Sequence, residues 1–402
     1  MISKEMERNI KANGGIREAF NEARRQKALY GEENVFDLSI GNPSAPAPEK
    51  VVEALKELSE KKNLDHQYMC ESGYEEVRNK VADWLNQKYK TSYGIQNIIM
   101  TNGVAGGLNM VLRALLNPGD EVVIFRPYYP AYKGFAENWQ GKIIEVDPGE
   151  DFQPDFEDLE SKLTERTKVV IVNSPHNPTG VIYTKETAEK ISEILKKKQK
   201  EYGHAICLLS DEPYRDLVYT GVELPWWPDF YQNTIVSYSF SKSLSLAGER
   251  IGYLTIPTEL EDSENVIKAV RLAMGRLGFV NAPALFQWVV GKCVNEQVDL
   301  EYYARNRELL YGTLKQYGYE CTQPQGAFYI FVKAPENNEE QFLEAARKRH
   351  LIFVGGSSFG YSGYVRVSFC CEHEILQRSA DALKQLAVDC GITSKRINVS
   401  KK

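Results

Sequence analysis

Residues 237–252 read S-Y-S-F-S-K-S-L-S-L-A-G-E-R-I-G and directly follow an apolar run that is typical of a buried strand. Hydroxyl side chains lie on both sides of Lys242, and Arg250 follows eight residues later inside a Gly-x-Arg-x-Gly sequence. A lysine suits covalent chemistry with an aldehyde, because its pKa moves readily when the amine is desolvated or lies near other cations. The plainer interpretation of such a segment is a serine-rich loop with a solvated lysine. The added Gly-x-Arg-x-Gly sequence favours a binding site instead.

The hydroxyls and the arginine of this segment indicate that the aldehyde belongs to a phosphate-carrying cofactor. Ser239, Ser241 and Arg250 could bind phosphate oxygens while Lys242 binds the aldehyde carbon. The segment therefore predicts a cofactor site immediately after a strand.

Three more polar segments follow apolar runs. They are residues 101–108 (T-N-G-V-A-G-G-L), 173–180 (N-S-P-H-N-P-T-G) and 210–219 (S-D-E-P-Y-R-D-L-V-Y). Ligands of open α/β sheets bind beyond the carboxyl ends of strands. Asn177 could present its amide there, and the carboxylate of Asp211 could pair with a protonated pyridine nitrogen. Ordinary turns, helix caps and a glycine-rich helix start are the alternatives.

The middle of the chain alternates short apolar runs with amphipathic stretches such as 105–116 and 185–201, which predicts an α/β domain with a largely parallel sheet. The strand-like runs are 97–100, 121–125, 142–146, 168–173, 205–210, 234–237 and 251–255. Beyond about residue 282 the pattern becomes α+β, beginning with one long helix or two joined helices at 282–314. We predict a large domain at 46–283, and a smaller domain formed by 1–45 and 284–402.

Composition excludes several classes of protein. The chain has 402 residues and a formal charge of -6, from 49 basic and 55 acidic side chains, so it lacks the basic character of nucleic-acid binders. We predict that the basic tail at 394–402 is simply a solvated chain end. Seven scattered cysteines without a Cys-x-x-Cys pair, and isolated histidines, predict a reduced cytoplasmic protein without a metal site. The first residues do not resemble a signal peptide, and no run is long enough to span a membrane.

In order and spacing, these segments resemble the class I/II aminotransferases of pyridoxal-phosphate (PLP) fold type I, over residues 37–386. The resemblance implies an α/β fold with a large domain, whose mostly parallel mixed sheet is flanked by helices, and a smaller α+β domain. It implies pyridoxal phosphate as the cofactor. It also implies these roles: Lys242 as the Schiff-base lysine, Arg250, Ser239 and Ser241 as phosphate ligands, Asp211 as the partner of the pyridine nitrogen, and Tyr214 and Asn177 as partners of the ring oxygen O3′.

The resemblance extends to the rest of the site. Residues 126–132 (R-P-Y-Y-P-A-Y) resemble the ring-stacking segment, with Tyr129 at the stacking position. Gly103, Val104 and Ala105 match the backbone phosphate cradle, where many relatives carry a hydroxyl or amine in place of Ala105. Tyr68 and Gly73 match a segment that, in a homodimer, extends to the cofactor phosphate of the partner subunit. The resemblance also implies that the backbone of Gly41 contacts the substrate and that Arg366 binds its α-carboxylate.

The implied reaction is the transfer of an amino group from an L-α-amino acid to a 2-oxo acid, with Lys242 moving the proton. Arg276 lies at a spacing from Lys242 that resembles the distal-carboxylate arginine of aspartate aminotransferases, which implies acidic substrates. A solvated or interface arginine is the alternative. If Arg276 has that role, its replacement by alanine selectively lowers the activity with aspartate and glutamate.

Two other functions remain open at this stage. His176 in S-P-H-N-P-T-G is a variant also seen in carbon–sulfur β-lyases that resemble this fold, whereas the Asp-Glu-Pro-Tyr sequence at 211–214 favours aminotransferases. A non-catalytic PLP-binding regulator is a remote alternative, because about forty residues precede the fold and they contain no basic helical pair.

Overall fold

The computed structural model describes residues 1–12 and 14–392, so Asn13 and the basic tail at 394–402 lie outside the described residues. The described residues form twelve strands: β1 (Phe36–Asp37), β2 (Ile98–Thr101), β3 (Glu121–Phe125), β4 (Lys142–Val146), β5 (Thr167–Asn173), β6 (Cys207–Asp211), β7 (Thr234–Ser239), β8 (Gly252–Thr255), β9 (Tyr329–Lys333), β10 (Leu351–Ile352), β11 (Val354–Gly355) and β12 (Tyr364–Ser368).

Fourteen α-helices accompany the strands in the same residues. They are α1 (Lys4–Ala12), α2 (Gly15–Tyr30), α3 (Glu49–Glu60), α4 (Glu75–Tyr89), α5 (Gly103–Leu115), α6 (Ala131–Glu137), α7 (Phe156–Lys162), α8 (Lys185–Tyr202), α9 (Phe240–Ser243), α10 (Ser263–Arg276), α11 (Ala284–Cys293), α12 (Leu300–Gln316), α13 (Glu339–Lys348) and α14 (His373–Asp389). None of these helices combines the length and apolar character that crossing a membrane requires.

The central sheet contains seven strands in the order β2-β8-β7-β6-β5-β3-β4. Strands β3 to β7 pair in parallel, while β8 is antiparallel to both of its neighbours, β7 and β2. Each of the seven apolar runs that the sequence predicts as strands lies in this sheet, within a few residues of the predicted bounds. The prediction of a mostly parallel mixed sheet is confirmed.

Alternating side chains of the strands enter two cores, one on each face of the sheet. On β3, Val122 and Ile124 pack on one face with apolar residues of α5 and α10. Val123 and Phe125 point to the opposite face, which α7 and α8 cover. Strands buried on both faces need continuous apolar sequence, which is why these runs are recognisable without strict alternation.

A smaller sheet, in the order β11-β12-β9, belongs to a second lobe with α12, α13 and α14. The predicted long helical region is two separate helices, α11 and α12. Helix α11 contributes Val289, Val290 and Cys293 to a core of the central sheet. The predicted domain bounds remain a prediction, and we propose that residues 284–293 be assigned to the large domain.

One edge of the central sheet carries all four polar segments. Because β8 is antiparallel to both β2 and β7, those two strands point in the same direction as β5 and β6. Their carboxyl ends, at Thr101, Asn173, Asp211 and Ser239, therefore meet at a single edge, which faces the second lobe. This convergence positions the site.

Candidate active site

A cleft of about 300 Å³ lies between this sheet edge and the second lobe. Most of the predicted site residues line it: Gly41, Val104, Ala105, Tyr129, Asn177, Asp211, Tyr214, Ser239, Ser241, Lys242, Arg250 and Arg366. These side chains are separated by up to hundreds of residues in the sequence. The fold thus brings together an amine, a carboxyl group, two guanidinium groups and several hydroxyls.

Lys242 lies in α9, the single helical turn that follows β7. The hydroxyl of Ser239 caps this turn by accepting a hydrogen bond from the Ser241 amide at 3.2 Å. The Lys242 Nζ donates to the carbonyl oxygen of Gly41 at 2.6 Å. Burial, reinforced by the charges of Arg366 and Arg250, lowers the pKa of the Lys242 amine to about 8. The amine is therefore largely uncharged, and able to act as a nucleophile or base, above about pH 8.

Asp211 ends β6 and is fully buried at the floor of the cleft. The hydroxyl of Tyr132 donates to its Oδ2, whereas Oδ1 has no hydrogen-bond partner among the described residues. Burial and the charge of Glu212 raise the pKa of Asp211 to about 7, and the Tyr132 hydrogen bond acts in the opposite direction. A buried carboxyl oxygen without a partner is costly, so this atom is suited to a cationic or N–H group of a ligand.

Replacing Tyr132 with phenylalanine is expected to lower the turnover rate about tenfold, because the loss of a supporting hydrogen bond costs about this much at comparable sites. The pKa of Asp211 should rise further, since the lost donor stabilises the ionised carboxylate. A pH–rate profile checks this through an acidic limb shifted to higher pH. Tyr231→Phe is the control, because its hydroxyl bonds Ile206 and Gln199. An unchanged rate and profile in Tyr132→Phe would contradict the role.

The opposite end of the cleft is an anion site. Gly103, Val104 and Ala105 begin α5, whose first amides are free of intrahelical partners. Gly103 has φ 70°, a conformation that favours glycine, and a Cβ there would lie 2.8 Å from Nη2 of Arg250, so the glycine lets the guanidinium group approach the helix start. Arg250 donates to the Ala247 carbonyl at 2.9 Å and lies 3.5 Å from the Ser241 hydroxyl. Backbone amides, a guanidinium group and hydroxyls together suit a phosphate.

Arg366, on β12, is the third cation of the cleft. Its guanidinium carbon lies 4.4 Å from the ring centre of Tyr329 and 4.8 Å from that of Phe359. Its Nη1 donates to Asn177 Oδ1 at 3.0 Å and its Nη2 to the Ser39 carbonyl at 2.6 Å. Within the described chain its buried Nε has no partner. The guanidinium group is thus fixed in orientation while further N–H donors, including that of Nε, stay available, which suits a two-point contact with a carboxylate.

Tyr329 and Asn173 are site residues that the sequence analysis missed, as it did Tyr132. The hydroxyls of Tyr329 and Tyr214 lie 3.0 Å apart, and a Cβ at Gly41 would lie 1.8 Å from the Tyr329 hydroxyl. The side-chain Nδ2 of Asn173 donates to the backbone carbonyl of Asp211 at 2.8 Å, and its Oδ1 accepts from the backbone N–H of Asn177 at 2.9 Å. The position of Asn173 at the end of a predicted strand could have indicated a site residue. Tyr329 lies in an apolar run, whose pattern indicates only a core position.

Tyr68, Gly73, Arg276 and His176 were singled out by the sequence and are not among the residues that line this cleft. Tyr68 has an exposed fraction of 91% and borders a separate groove, and Arg276 is exposed at the C-terminal end of α10. Their roles remain predictions. His176 is buried, its Nδ1 lies 2.7 Å from the Thr179 hydroxyl, and burial lowers its pKa to about 3. It supports the 173–180 loop and is not among the residues that line the cleft.

Comparison with known proteins identifies the family of this chain. The family model "Aminotransferase class I and II" matches residues 33–383. A crystal structure of an amino transferase from Eubacterium rectale has a TM-score of 0.93 and 40% sequence identity, over 97% of this chain and 99% of that one.

Two curated relatives are similar over most of their length. An aspartate aminotransferase of Thermotoga maritima is 29% identical over 95% of this chain and 96% of its own. An aspartate/prephenate aminotransferase of Thermus thermophilus is 30% identical over 86% of this chain and 89% of its own. With the family model covering most of its length, the chain belongs to the class I and II aminotransferase family.

Proposed function

We propose that this aminotransferase uses pyridoxal phosphate to move the amino group of an L-α-amino acid to a 2-oxo acid. One observation carries the proposal: the Lys242 amine, the unpartnered Oδ1 of Asp211 and the anion site at Arg250 line a single cleft. An aldehyde, a ring nitrogen and a phosphate are the three groups that these residues would bind. Pyridoxal phosphate carries all three.

The residues of the cleft fit this cofactor group by group. Arg250, Ser239, Ser241 and the amides of residues 103–105 would hold the phosphate, and Tyr129 would stack on the ring. Asp211 would hold the ring nitrogen, and Tyr214 and Asn177 would hold the ring oxygen. When bound, the cofactor supplies a carbonyl for the amine and a ring that withdraws electrons from the α-carbon.

The chain's own residues would perform the remaining steps. Arg366 binds the α-carboxylate and fixes the amino acid, because its guanidinium group packs against two aromatic rings and makes two hydrogen bonds. Lys242 removes the α-proton as an uncharged amine, and its burial keeps enough of that form near neutral pH. Asp211, ionised opposite a cation, holds the proton of the ring nitrogen.

Arg366→Lys tests the binding role of the guanidinium group. We expect kcat/KM to fall about 100-fold, mainly through KM, because an ammonium group cannot make the planar two-point contact with a carboxylate. Steady-state kinetics with the preferred donor checks this. Arg378→Lys, on α14 and outside the cleft, is the control. A normal KM in Arg366→Lys would contradict the assignment.

We further propose a cytoplasmic homodimer with composite sites. The free thiols of all seven cysteines support a reducing compartment. Tyr68, Phe279 and Val280 border an exposed groove of about 570 Å³, and burial of such aromatic and apolar side chains by a second copy supports the dimer. Sedimentation of the purified protein as a monomer at micromolar concentration would contradict the dimer.

The visible absorption spectrum of the purified protein tests the cofactor and the reaction together. A cofactor band that disappears with an amino acid and returns with a 2-oxo acid is the expected result. Release of pyruvate from cystathionine, without such a cycle, would instead identify a carbon–sulfur β-lyase. A stable band with no response to any amino acid would identify a non-catalytic binder. Absence of the band after addition of pyridoxal phosphate would overturn the proposal.

A further inference from the structure

We propose that Arg215 is a positioning residue for the cofactor ring: from the side opposite the cleft, it holds the turn that carries Asp211 and Tyr214. The inference rests on the proposed function, since it concerns how two side chains of the same site are oriented. Its observations are the two directions in which residues 211–215 present their side chains, and the contacts of a buried arginine that the proposed reaction does not use.

Residues 211–215 present their side chains to two different places. Asp211, Pro213 and Tyr214 line the cleft. Glu212 and Arg215 are not among the lining residues, and their exposed fractions of 0% and 6% place both side chains in the protein interior. Each of these buried charges is the sequence neighbour of a side chain that would contact the ring. A shift of either charge would therefore displace that side chain.

The guanidinium group of Arg215 is held by three different segments. Its Nη1 donates to Glu212 Oε2 at 2.8 Å, and its Nε donates to the Tyr89 hydroxyl at 2.6 Å. Nη1 and Nη2 both donate to the carbonyl oxygen of Pro225, at 3.2 and 3.1 Å. The guanidinium carbon also lies 4.8 Å from the ring centre of Tyr89 and 5.0 Å from that of Trp226. Arg215 therefore ties the turn to the end of α4 and to the loop that precedes β7.

Glu212 connects this anchor to the end of β6. Its Oε1 accepts from the Ser210 hydroxyl at 2.7 Å, and its backbone N–H donates to the Ser237 carbonyl at 2.9 Å. Burial raises the pKa of the Glu212 carboxyl group, and the pairing with Arg215 acts in the opposite direction. Without the guanidinium group, this buried carboxylate would lose the counter-charge with which it pairs, which is strongly unfavourable. Removal of Arg215 is therefore expected to displace Glu212 and, with it, the neighbouring Asp211.

Stability alone is a weak explanation for this buried ion pair. Taking both charges out of water offsets much of their attraction, and apolar side chains of similar volume often replace such pairs without a loss of stability. The pair does fix an orientation, because the rigid, planar guanidinium group donates along set directions. Asp211 and Tyr214 need such an orientation, since their oxygen atoms would contact two different atoms of the ring.

The other ionisable groups that face this turn belong to different elements. Tyr132 donates to Asp211, and the hydroxyl of Tyr329 lies 3.0 Å from that of Tyr214. Further groups whose charges act on the turn are Tyr129, Lys242 and Arg366 beside the cleft, and Asp216, Tyr253, Lys88 and Asp229 near the ion pair. The variants of Arg215 leave all of these groups in place.

The first test is a pH titration of the cofactor band in the resting holoenzyme, without substrate. In Arg215→Gln the midpoint should rise by about one pH unit, a tenfold change in the equilibrium, because the Tyr214 hydroxyl would lie further from the ionised ring oxygen that it stabilises. Arg215→Lys should raise the midpoint by a smaller amount, since it keeps the charge and a single ammonium group cannot replace the donors to both Tyr89 and Pro225. A wild-type midpoint in Arg215→Lys would overturn the inference, because the charge alone would then suffice.

The second test measures the binding of pyridoxal phosphate to the apoprotein by fluorescence quenching, together with the thermal unfolding temperature. The Kd should rise about tenfold in Arg215→Gln, as the loss of a supporting hydrogen-bond partner does at comparable sites. Arg307→Gln is the matched control and should keep the wild-type Kd and midpoint. Arg307, on α12, also donates to a proline carbonyl, that of Pro324 at 2.6 Å, and it does not line the cleft. A lower unfolding temperature of Arg215→Gln with a wild-type Kd and midpoint would overturn the inference.

A double variant tests whether Arg215 acts through the turn. In a Tyr214→Phe background, the midpoint shift caused by Arg215→Gln should shrink, because the hydroxyl that it displaces is already absent. Two shifts that add in full would overturn the inference. If Arg215→Gln does not fold, Arg215→Lys takes its place in each test. Absence of the cofactor band in the wild-type protein would instead overturn the proposed function.

Discussion

Replacing Lys242 with alanine is expected to reduce transamination by roughly four orders of magnitude, because proton transfer by a positioned group contributes up to about 10⁴-fold. Lys242 lines the cleft, and its amine donates to the carbonyl oxygen of Gly41, on the opposite wall from the sheet edge. Its lowered pKa supplies the uncharged form that both covalent attachment and proton removal need. Alanine supplies neither function.

The measurement is single-turnover kinetics of Lys242→Ala with its preferred donor, together with the visible spectrum. Methylamine in the assay should restore part of the rate, because a small amine can occupy the vacated space and accept the proton. Lys185→Ala is the control, since Lys185 is exposed at the start of α8. Substantial turnover without added amine would remove Lys242 from its role.

Asp211→Asn is expected to lower kcat roughly 1,000-fold, since removing one preorganised electrostatic partner costs about 10² to 10³ at comparable sites. Asparagine keeps the size of the side chain, and it cannot carry the negative charge that holds a proton on the ring nitrogen. The Tyr132 hydroxyl and the Asn173 contact to the backbone would remain, so the local structure should persist. The fall in kcat therefore measures the contribution of the negative charge of Asp211.

Rapid-mixing kinetics of Asp211→Asn, with the cofactor content measured separately, checks this expectation. Asp211→Glu restores the charge and should recover part of the rate. Asp158→Asn is the control, because Asp158 pairs with Lys162 on α7, away from the cleft. A kcat within tenfold of wild type in Asp211→Asn would show that the buried carboxylate is not required.

The seven strands of the central sheet were predictable because each is buried on both faces and therefore reads as a continuous apolar run. The loops after four of them were predictable because polar and glycine residues follow each run abruptly. Strands β1, β10 and β11 were not predicted, since each has only two residues and leaves no periodic pattern. Their pairing depends on tertiary contacts alone.

The predicted site residues come mainly from contiguous motifs, in which residue type and spacing together carry the signal. Tyr132 and Tyr329 escaped prediction for a physical reason. Both have aromatic rings in apolar surroundings, and only their hydroxyl partners, Asp211 and Tyr214, distinguish them from core residues.

By itself, the sequence determined the fold class and the chain positions of the strands of the central sheet. Local patterns also marked Lys242, Asp211 and Arg250 as candidate site residues, because strand burial and loop chemistry are recorded in neighbouring residues. Arg366 was marked only by the resemblance to the family. Only the tertiary structure decided that Oδ1 of Asp211 lacks a hydrogen-bond partner among the described residues, and that Arg366 packs against the rings of Tyr329 and Phe359. Those facts depend on contacts between segments distant in the chain, which no local pattern encodes.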